Sequence, residues 1–127
     1  MNSGSNLAKK LINEGHTIFI GVPCSRLKGF LKEVGDKAMF VTSESEAVMI
    51  AAGMATVGYK PVVFLQNSGI GDVLEPLASF AGIADVGIVF VVSRRGGPGD
   101  EVHHMKMFEY DKIIESFINK ESKVWFI

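Results

Sequence analysis

The chain has 127 residues with a formal net charge of −1, and 47% of its residues are hydrophobic while 21% are charged. This balance predicts one soluble globular domain and argues against a nucleic-acid-binding protein, which would carry a basic excess. Cys24 is the single cysteine, which excludes an internal disulfide. The sequence also lacks a signal peptide and an apolar run of about 18 residues. We therefore expect a cytoplasmic protein that crosses no membrane.

Helical and strand patterns alternate along the first half of the chain. The predicted elements are a helix that ends at Gly15, a strand over 17–22, a helix that ends at Gly35 and a strand over 38–41. The next helix, over 47–57, is apolar on nearly every side. This pattern predicts that the helix is buried, with Gly53 allowing close packing.

The same alternation continues in the second half. The predicted elements are a strand over 61–66, a helix with Ser68 as its N-cap that ends at Gly82, a strand over 86–92, a helix over 108–118 and a final strand over 123–127. Strands separated by helical stretches of this length are typical of βαβ units. The chain is therefore predicted to be one α/β domain, residues 1–127, in which a doubly wound parallel sheet carries helices on both faces.

Polar side chains follow each of the predicted buried strands. They are Cys24 and Ser25 after the first, Ser43 and Glu44 after the second, Gln66, Asn67 and Ser68 after the third, and Ser93, Arg94 and Arg95 after the fourth. The carboxyl ends of parallel strands lie at one edge of a sheet, so these groups should converge there. The serines could equally be caps or turn residues, whereas Glu44 begins an apolar helix and needs a partner for its carboxylate.

Several short motifs resemble the pyrimidine-binding domain of thiamine-diphosphate-dependent 2-oxo acid decarboxylases. They are Gly21-Val-Pro-Cys-Ser25, Glu44 with Ala47, Ala51-Ala-Gly53, Gln66-Asn-Ser-Gly-Ile-Gly71 and Ser93-Arg-Arg-Gly96. Within that family, the chain most resembles the alpha subunits of sulfopyruvate decarboxylase and the phosphonopyruvate decarboxylases, over residues 5–108. The resemblance implies decarboxylation of sulfopyruvate, a step of coenzyme M biosynthesis, with phosphonopyruvate as the alternative substrate.

The resemblance implies that thiamine diphosphate is the cofactor and that Glu44 is the acid that contacts N1′ of its aminopyrimidine ring. The cofactor-binding residues that it implies are Pro23, Glu44, Gln66, Asn67, Ser68 and Gly69. Glu46 is a nearby competitor for the catalytic role, but it should face elsewhere on the first turn of the helix.

The resemblance also implies a binding site for the anionic tail of the substrate. Its residues would be Ser25, Asn67, Arg94 and Arg95. Guanidinium groups present paired donors that match sulfonate or phosphonate oxygens, although both arginines could instead be solvated loop charges. His104 matches a histidine that handles protons during turnover. No spacing of ligand-type residues indicates a metal site in this chain.

The sequence contains no Gly-Asp-Gly motif, with which related enzymes hold the diphosphate and its Mg²⁺. We therefore expect that a separate beta subunit carries the diphosphate-binding domain, holds Mg²⁺ and completes the active site at a shared interface. Two alpha and two beta subunits are expected, with self-association across the cofactor interface. The mean hydropathy of +0.26 agrees with a surface that is buried against a partner.

A non-catalytic α/β binding or regulatory domain is the alternative from another functional class. The joint presence of Glu44, the Gln66-Asn67 pair and the two arginines argues against a domain that has lost its chemistry. The fold alone would not decide between the two, because one α/β architecture supports many functions.

Overall fold

The computed structural model describes residues 3–96, 99–100 and 107–127, apart from the side chains of residues 83 and 108. The helices are α1 (Ser3–Asn13), α2 (Lys28–Val34), α3 (Glu44–Thr56), α4 (Ile70–Pro76), α5 (Gly82–Ala84) and α6 (Met107–Phe117). The strands are β1 (Ile18–Gly21), β2 (Ala38–Phe40), β3 (Pro61–Gln66), β4 (Val89–Ser93) and β5 (Lys123–Phe126). Helices and strands alternate as the hydrophobic patterns predict. Within the described ranges, no helix is both long and apolar enough to cross a bilayer.

The five strands form one sheet in the order β2-β1-β3-β4-β5, and every neighbouring pair is parallel. The chain moves from β1 outward to β2, crosses back to β3, and then continues outward on the other side. The direction of winding therefore reverses between β1 and β3. In open α/β sheets, ligands bind beyond the carboxyl ends of the strands at such a reversal. The predicted doubly wound parallel sheet is confirmed.

The central strand β3 is covered on both faces, because helices pack on each side of the sheet. Val62 and Phe64 belong to the core formed with α1 and α2. Val63 and Leu65 point to the opposite core, which includes residues of α3, α4 and α6. All four side chains are fully buried, which explains why the strand is apolar throughout instead of alternating with polar residues.

Gly21 ends β1 at a point of very close approach to β3. It is the register partner of Phe64, and a Cβ atom at position 21 would lie 1.9 Å from the carbonyl oxygen of Phe64. No side chain fits at this distance. The loop that carries Pro23, Cys24 and Ser25 therefore leaves the sheet beside the end of β3, at the reversal of the strand order.

The prediction that α3 is buried is wrong for one side of the helix. Ala47, Val48, Ala51 and Ala52 pack against the sheet, while Met49 is 50% exposed. Only one face of α3 can contact the sheet, and its other face is apolar without being covered by any described residue. Among the residues whose side chains are described, the other exposed large apolar side chains are Met39, Phe40, Val57, Tyr59, Phe80 and Phe117.

Gly53 lies on the uncovered side of α3 and does not mediate close packing. A Cβ atom there would meet no other atom within 4 Å. We expect Gly53→Ala to raise the free energy of unfolding by about 0.5–1 kcal/mol, because alanine loses less backbone entropy in a helix. Urea unfolding of the purified chain measures this change. Gly58→Ala is the matched control and should lower stability, since Gly58 has a φ angle of +99° that alanine adopts only with strain.

The segment after β3 differs from the prediction in detail. Ser68 is not the N-cap of α4; Gly69 occupies that position, and the Ser68 hydroxyl instead accepts a hydrogen bond of 2.6 Å from Gln66 Nε2. The helical path does not end at Gly82. It continues through a π-helical turn, Leu77–Ala81, into α5, and it ends where Asp85 adopts a left-handed conformation with φ of 52°. This longer path delays the start of β4 from residue 86 to Val89.

Candidate active site

Hydrogen bonds connect the carboxyl ends of β1, β3 and β4. The sulfur of Cys24, which follows β1, lies 3.1 Å from the hydroxyl oxygen of Ser93 at the end of β4. The backbone N–H of Arg95 donates to the side-chain oxygen of Asn67, which follows β3, over 3.1 Å. The predicted convergence of polar groups at this edge of the sheet is thus present for the loops after these strands.

The start of α3 is fixed by two interactions that also fix the position of Glu44. Ser43 is the N-cap of the helix, and its hydroxyl oxygen accepts a hydrogen bond of 3.3 Å from the backbone N–H of Glu46. The backbone N–H of Ser45 donates to a carboxylate oxygen of Asp72 in α4, over 2.9 Å. Because both neighbours of Glu44 are held, the direction of its side chain is set by α3 and α4 together.

The Glu44 side chain lies against the backbone of Gly69. A Cβ atom at position 69 would lie 2.6 Å from both Cγ and Oε1 of Glu44, so the two residues can pack only because position 69 is glycine. Glu44 is half-buried, and no residue in the described parts of the chain forms a hydrogen bond or ion pair with its carboxyl group. A half-buried acid without a partner is costly unless a ligand supplies one.

Glu46 occupies a different environment from Glu44. It is exposed, and its carboxylate accepts a hydrogen bond of 3.2 Å from the backbone N–H of Thr42. Together with the bond from Glu46 N–H to Ser43, this contact forms a capping arrangement at the start of α3. The two acids therefore face different ways, and Glu46 has a structural partner inside the chain.

Asn67 is fully buried, and its side chain is used entirely within the chain. Its amide nitrogen donates to the carbonyl oxygens of Arg95 at 3.0 Å and Met107 at 3.2 Å, and lies 3.5 Å from a carboxylate oxygen of Asp111. This arrangement ties the end of β3 to the loop after β4 and to α6. It favours a positioning role for Asn67 over the direct cofactor and substrate contacts expected from the sequence.

We expect Asn67→Ala to lower the free energy of unfolding by about 2–4 kcal/mol, because the change leaves several buried donors and acceptors without partners. Urea unfolding of the purified chain provides the measurement. Ser68→Ala is the matched control for stability, since Ser68 is exposed and bonds only to its neighbour Gln66. A stability for Asn67→Ala within about 0.5 kcal/mol of the wild-type value would show that this network is not structural.

Arg94 and Asp111 form an ion pair on the β5 side of the site. Arg94 Nε donates to Asp111 Oδ2 over 2.9 Å, and the guanidinium group lies 4.5 Å from the centre of the Phe126 ring. Burial raises the pKa of the Asp111 carboxyl group, while Arg94 and the hydrogen bond from Asn67 act in the opposite direction. Sequence reasoning missed Asp111, because a single acid in an amphipathic helix gives no sign of its contacts.

Arg95 lies in a second ion-pair group that also contains Arg26 and Asp100. The Asp100 Oδ1 atom lies 2.7 Å from Arg26 Nη2 and 3.4 Å from Arg95 Nη1. The other carboxylate oxygen of Asp100 accepts a hydrogen bond of 2.7 Å from the backbone N–H of Gly96. Sequence reasoning missed Arg26 and Asp100, which are 74 residues apart in the chain and meet only in the fold.

The other predicted site residues take simpler positions. Pro23 and Ser25 are exposed on the loop after β1, and Gln66 and Ser68 are bonded to each other at the end of β3. His104, the predicted catalytic histidine, lies outside the described residues. The residues that could hold an aminopyrimidine ring are those beside the carboxyl group of Glu44. Glu44 is half-buried and its carboxyl group has no partner among the described residues, so the group is suited to contact with a ring nitrogen such as N1′.

Comparisons with known proteins show the family to which this chain belongs. Residues 1–109 match the family model described as thiamine pyrophosphate enzyme, N-terminal TPP binding domain. The chain is similar to phosphonopyruvate decarboxylase from Streptomyces hygroscopicus, with 36% identity over 83% of this chain and 28% of that protein. It is also similar to sulfopyruvate decarboxylase subunit alpha from Methanocaldococcus jannaschii, with 30% identity over 78% of this chain and 62% of that subunit.

A second such subunit, from Methanococcus maripaludis, is 28% identical over 76% of this chain and 60% of the relative. The chain thus spans less than two thirds of the length of these relatives. The family match, by contrast, covers most of the chain and includes the carboxyl ends of β1, β2, β3 and β4. On the strength of that match, this chain belongs to the family of N-terminal TPP-binding domains of thiamine pyrophosphate enzymes.

Proposed function

We propose that this chain is the pyrimidine-domain (alpha) subunit of a thiamine-diphosphate-dependent 2-oxo acid decarboxylase, with sulfopyruvate as the substrate and sulfoacetaldehyde and CO₂ as the products. The observation that carries the proposal is the carboxyl group of the half-buried Glu44, which packs on Gly69 and has no partner among the described residues. When bound, thiamine diphosphate supplies a carbon nucleophile and an electron sink for the carboxylate that leaves.

Glu44 acts on the aminopyrimidine ring in this proposal. Its carboxyl group would hydrogen-bond N1′ and share a proton with that nitrogen, which would favour proton transfer at the exocyclic amino group. The rigid start of α3 supports this role, because the Ser43 cap and the Asp72 contact hold the backbone on both sides of Glu44. Positioning of this kind removes the entropy cost of finding the reactive geometry.

The neighbouring loops provide the rest of the pyrimidine site. Pro23, Gln66, Ser68 and Gly69 lie around the reversal of strand order and line the cofactor, while Asn67 holds their loop in place. Ser25 contacts the substrate from the β1 side. His104 handles protons during turnover, as the resemblance implies. Each of these roles rests on the family pattern together with the position of the residue in the chain.

A separate beta subunit supplies the second half of the active site. This proposal is supported by two relatives whose names include subunit alpha. The beta subunit holds the diphosphate and Mg²⁺, and the cofactor lies between the two chains. The apolar side chains exposed on β2 and α3 leave surface available for such a contact.

Phosphonopyruvate is the second candidate substrate. It is favoured by the similarity to the Streptomyces hygroscopicus phosphonopyruvate decarboxylase. Sulfonate and phosphonate tails are both tetrahedral anions, so arginine side chains can bind either one. The choice between them therefore depends on the measured preference and not on the presence of arginine.

The function is tested by purifying the chain together with the subunit that it binds in its own cells. We expect this complex to release CO₂ from sulfopyruvate only when thiamine diphosphate and Mg²⁺ are both present. Phosphonopyruvate is assayed in parallel to fix the preferred substrate. A complex that contains thiamine diphosphate but releases CO₂ from neither compound would exclude both candidates.

A further inference from the structure

Two guanidinium groups meet at one carboxylate oxygen at the carboxyl edge of the sheet. Arg26, after β1, and Arg95, after β4, both approach Asp100 Oδ1. One carboxylate neutralises one of the two positive charges, so the group of three residues carries a net charge of +1. Each guanidinium has five N–H donors, and these contacts use only part of that set.

The Arg95 side chain also has a donor that lacks a partner. Its Nε atom is buried, and no group in the described parts of the chain accepts a hydrogen bond from it. A buried N–H of a charged group is costly to leave unpaired, so the position is suited to an incoming acceptor. The Arg26 side chain remains 45% exposed, which leaves its other donors accessible from the same edge.

Arg94 is directed to other partners. Its Nε atom is bonded to Asp111, and its guanidinium group stacks on the ring of Phe126 in β5, the outermost strand on that side. Arg26 and Arg95, in contrast, follow β1 and β4, the strands on either side of β3. The backbone of Arg95 is bonded to Asn67, two residues before the glycine that contacts Glu44.

We propose that Arg26 and Arg95, held together by Asp100, bind the anionic tail of the substrate, and that Arg94 instead anchors α6 to the sheet. The proposal rests on the decarboxylase function proposed above and identifies the residues that select its substrate. Two converging guanidinium groups offer several N–H donors to the three oxygens of a sulfonate or phosphonate. Arg26, which sequence reasoning did not consider, becomes a specificity-determining residue.

The test compares substrates with and without the anionic tail in the purified complex. Arg26→Met and Arg95→Met each remove a positive charge while keeping an unbranched side chain. We expect each change to lower the ratio of kcat/KM for sulfopyruvate to kcat/KM for pyruvate by about tenfold or more, since a hydrogen bond to a charged group is lost. Lys37→Met is the matched control, because exposed Lys37 precedes β2 at the opposite edge of the sheet.

Direct binding gives a readout that does not depend on turnover. Sulfoacetate carries the same tail and cannot react as a 2-oxo acid, so its affinity for the complex can be measured by titration calorimetry. We expect Arg26→Met and Arg95→Met to weaken its binding by about tenfold or more, and Lys37→Met to leave it unchanged. Acetate titrated in parallel shows how much binding comes from the carboxylate alone.

The outcomes separate the possible roles of the arginines. A selective loss for sulfopyruvate and sulfoacetate in both variants supports the proposal. An equal loss for sulfopyruvate and pyruvate would show that Arg26 is merely structural and would overturn it. A selective loss in Arg94→Met without one in Arg26→Met would also overturn it and assign the tail to Arg94. If the wild-type complex decarboxylates neither sulfopyruvate nor phosphonopyruvate, the proposed function fails first, and the substrate assignment fails with it.

Discussion

Glu44→Gln is expected to lower kcat for decarboxylation by the complex about 10²–10⁴-fold, the range typical for loss of a proton-transfer group. Glutamine has nearly the same shape, so the contact with Gly69 and the start of α3 should persist. The amide cannot share a proton with a ring nitrogen, and this is the property that the proposed mechanism requires. Turnover of sulfopyruvate with saturating thiamine diphosphate and Mg²⁺ is the measurement, with circular dichroism as the check on the fold.

Glu46→Gln is the matched control for this change. It makes the same substitution two residues away, at a carboxylate that caps the backbone at Thr42. We expect it to lower stability by about 0.3–1 kcal/mol, because the negative charge at the helix N-terminus is lost while the amide oxygen still accepts the bond, and to leave turnover near the wild-type value. If Glu44→Gln retained normal turnover, or if Glu46→Gln lost as much as Glu44→Gln, the assignment of the catalytic acid would be wrong.

Gly69→Ala should reduce kcat/KM by about 100-fold or more while changing stability little, because a misplacement of about 1 Å can cost that much in rate. The new Cβ atom would lie 2.6 Å from Glu44 Oε1, so the carboxyl group must move away. The backbone itself does not resist the change, since Gly69 has φ of −87° and ψ of −3°. The Glu44 side chain is flexible, which makes its displacement inexpensive for folding.

Gly71→Ala provides the comparison, two residues further along the same segment. A Cβ atom at position 71 meets no other atom within 4 Å, so we expect unchanged turnover and a small gain in helix stability. The double variant Glu44→Gln with Gly69→Ala adds a stricter test. If Gly69 acts through Glu44, the second substitution should have almost no further effect on turnover. Fully additive losses would mean that Gly69 has an independent role.

The sequence predicts the order of the helices and strands well, because each of them follows from a local pattern of hydrophobic residues. The run 61–66 is apolar at nearly every position, and β3 is indeed the strand that is covered on both faces. The position of Glu44 at the start of α3 follows from the same local pattern, together with the Ser43 cap. These features require no knowledge of distant contacts.

The wrong predictions of secondary structure and burial arise where two local patterns compete or where a helix is covered on one side only. An all-round apolar helix predicts burial, but the pattern does not show that α3 has the sheet on one side only, and Met49 is left exposed. A serine before a helical pattern predicts an N-cap, but the Ser68 hydroxyl is taken by Gln66. The glycine at position 82 predicts a helix end, but its φ angle of −64° continues the helix.

The ion pairs of the site could not be predicted from the sequence at all. Arg26 and Arg95 look alike as charges in loops, and only the fold brings both to Asp100. Asn67, in contrast to the arginines, lies in a recognisable motif, and that motif predicts ligand contact. The same side chain forms hydrogen bonds to the loop after β4 and to α6, which the motif does not indicate. Long-range pairing decides both cases, and no local pattern reports it.

The wholly parallel sheet has a consequence for how the protein folds during synthesis. No strand can pair with its neighbour through a tight turn, so every pairing must close a long loop, which makes folding slow. The contact between Arg26 and Asp100 closes a loop of 74 residues. A nascent chain that has not yet emerged beyond β4 therefore cannot bring these two residues together, and the proposed binding site for the substrate tail can form only after Asp100 has left the ribosome.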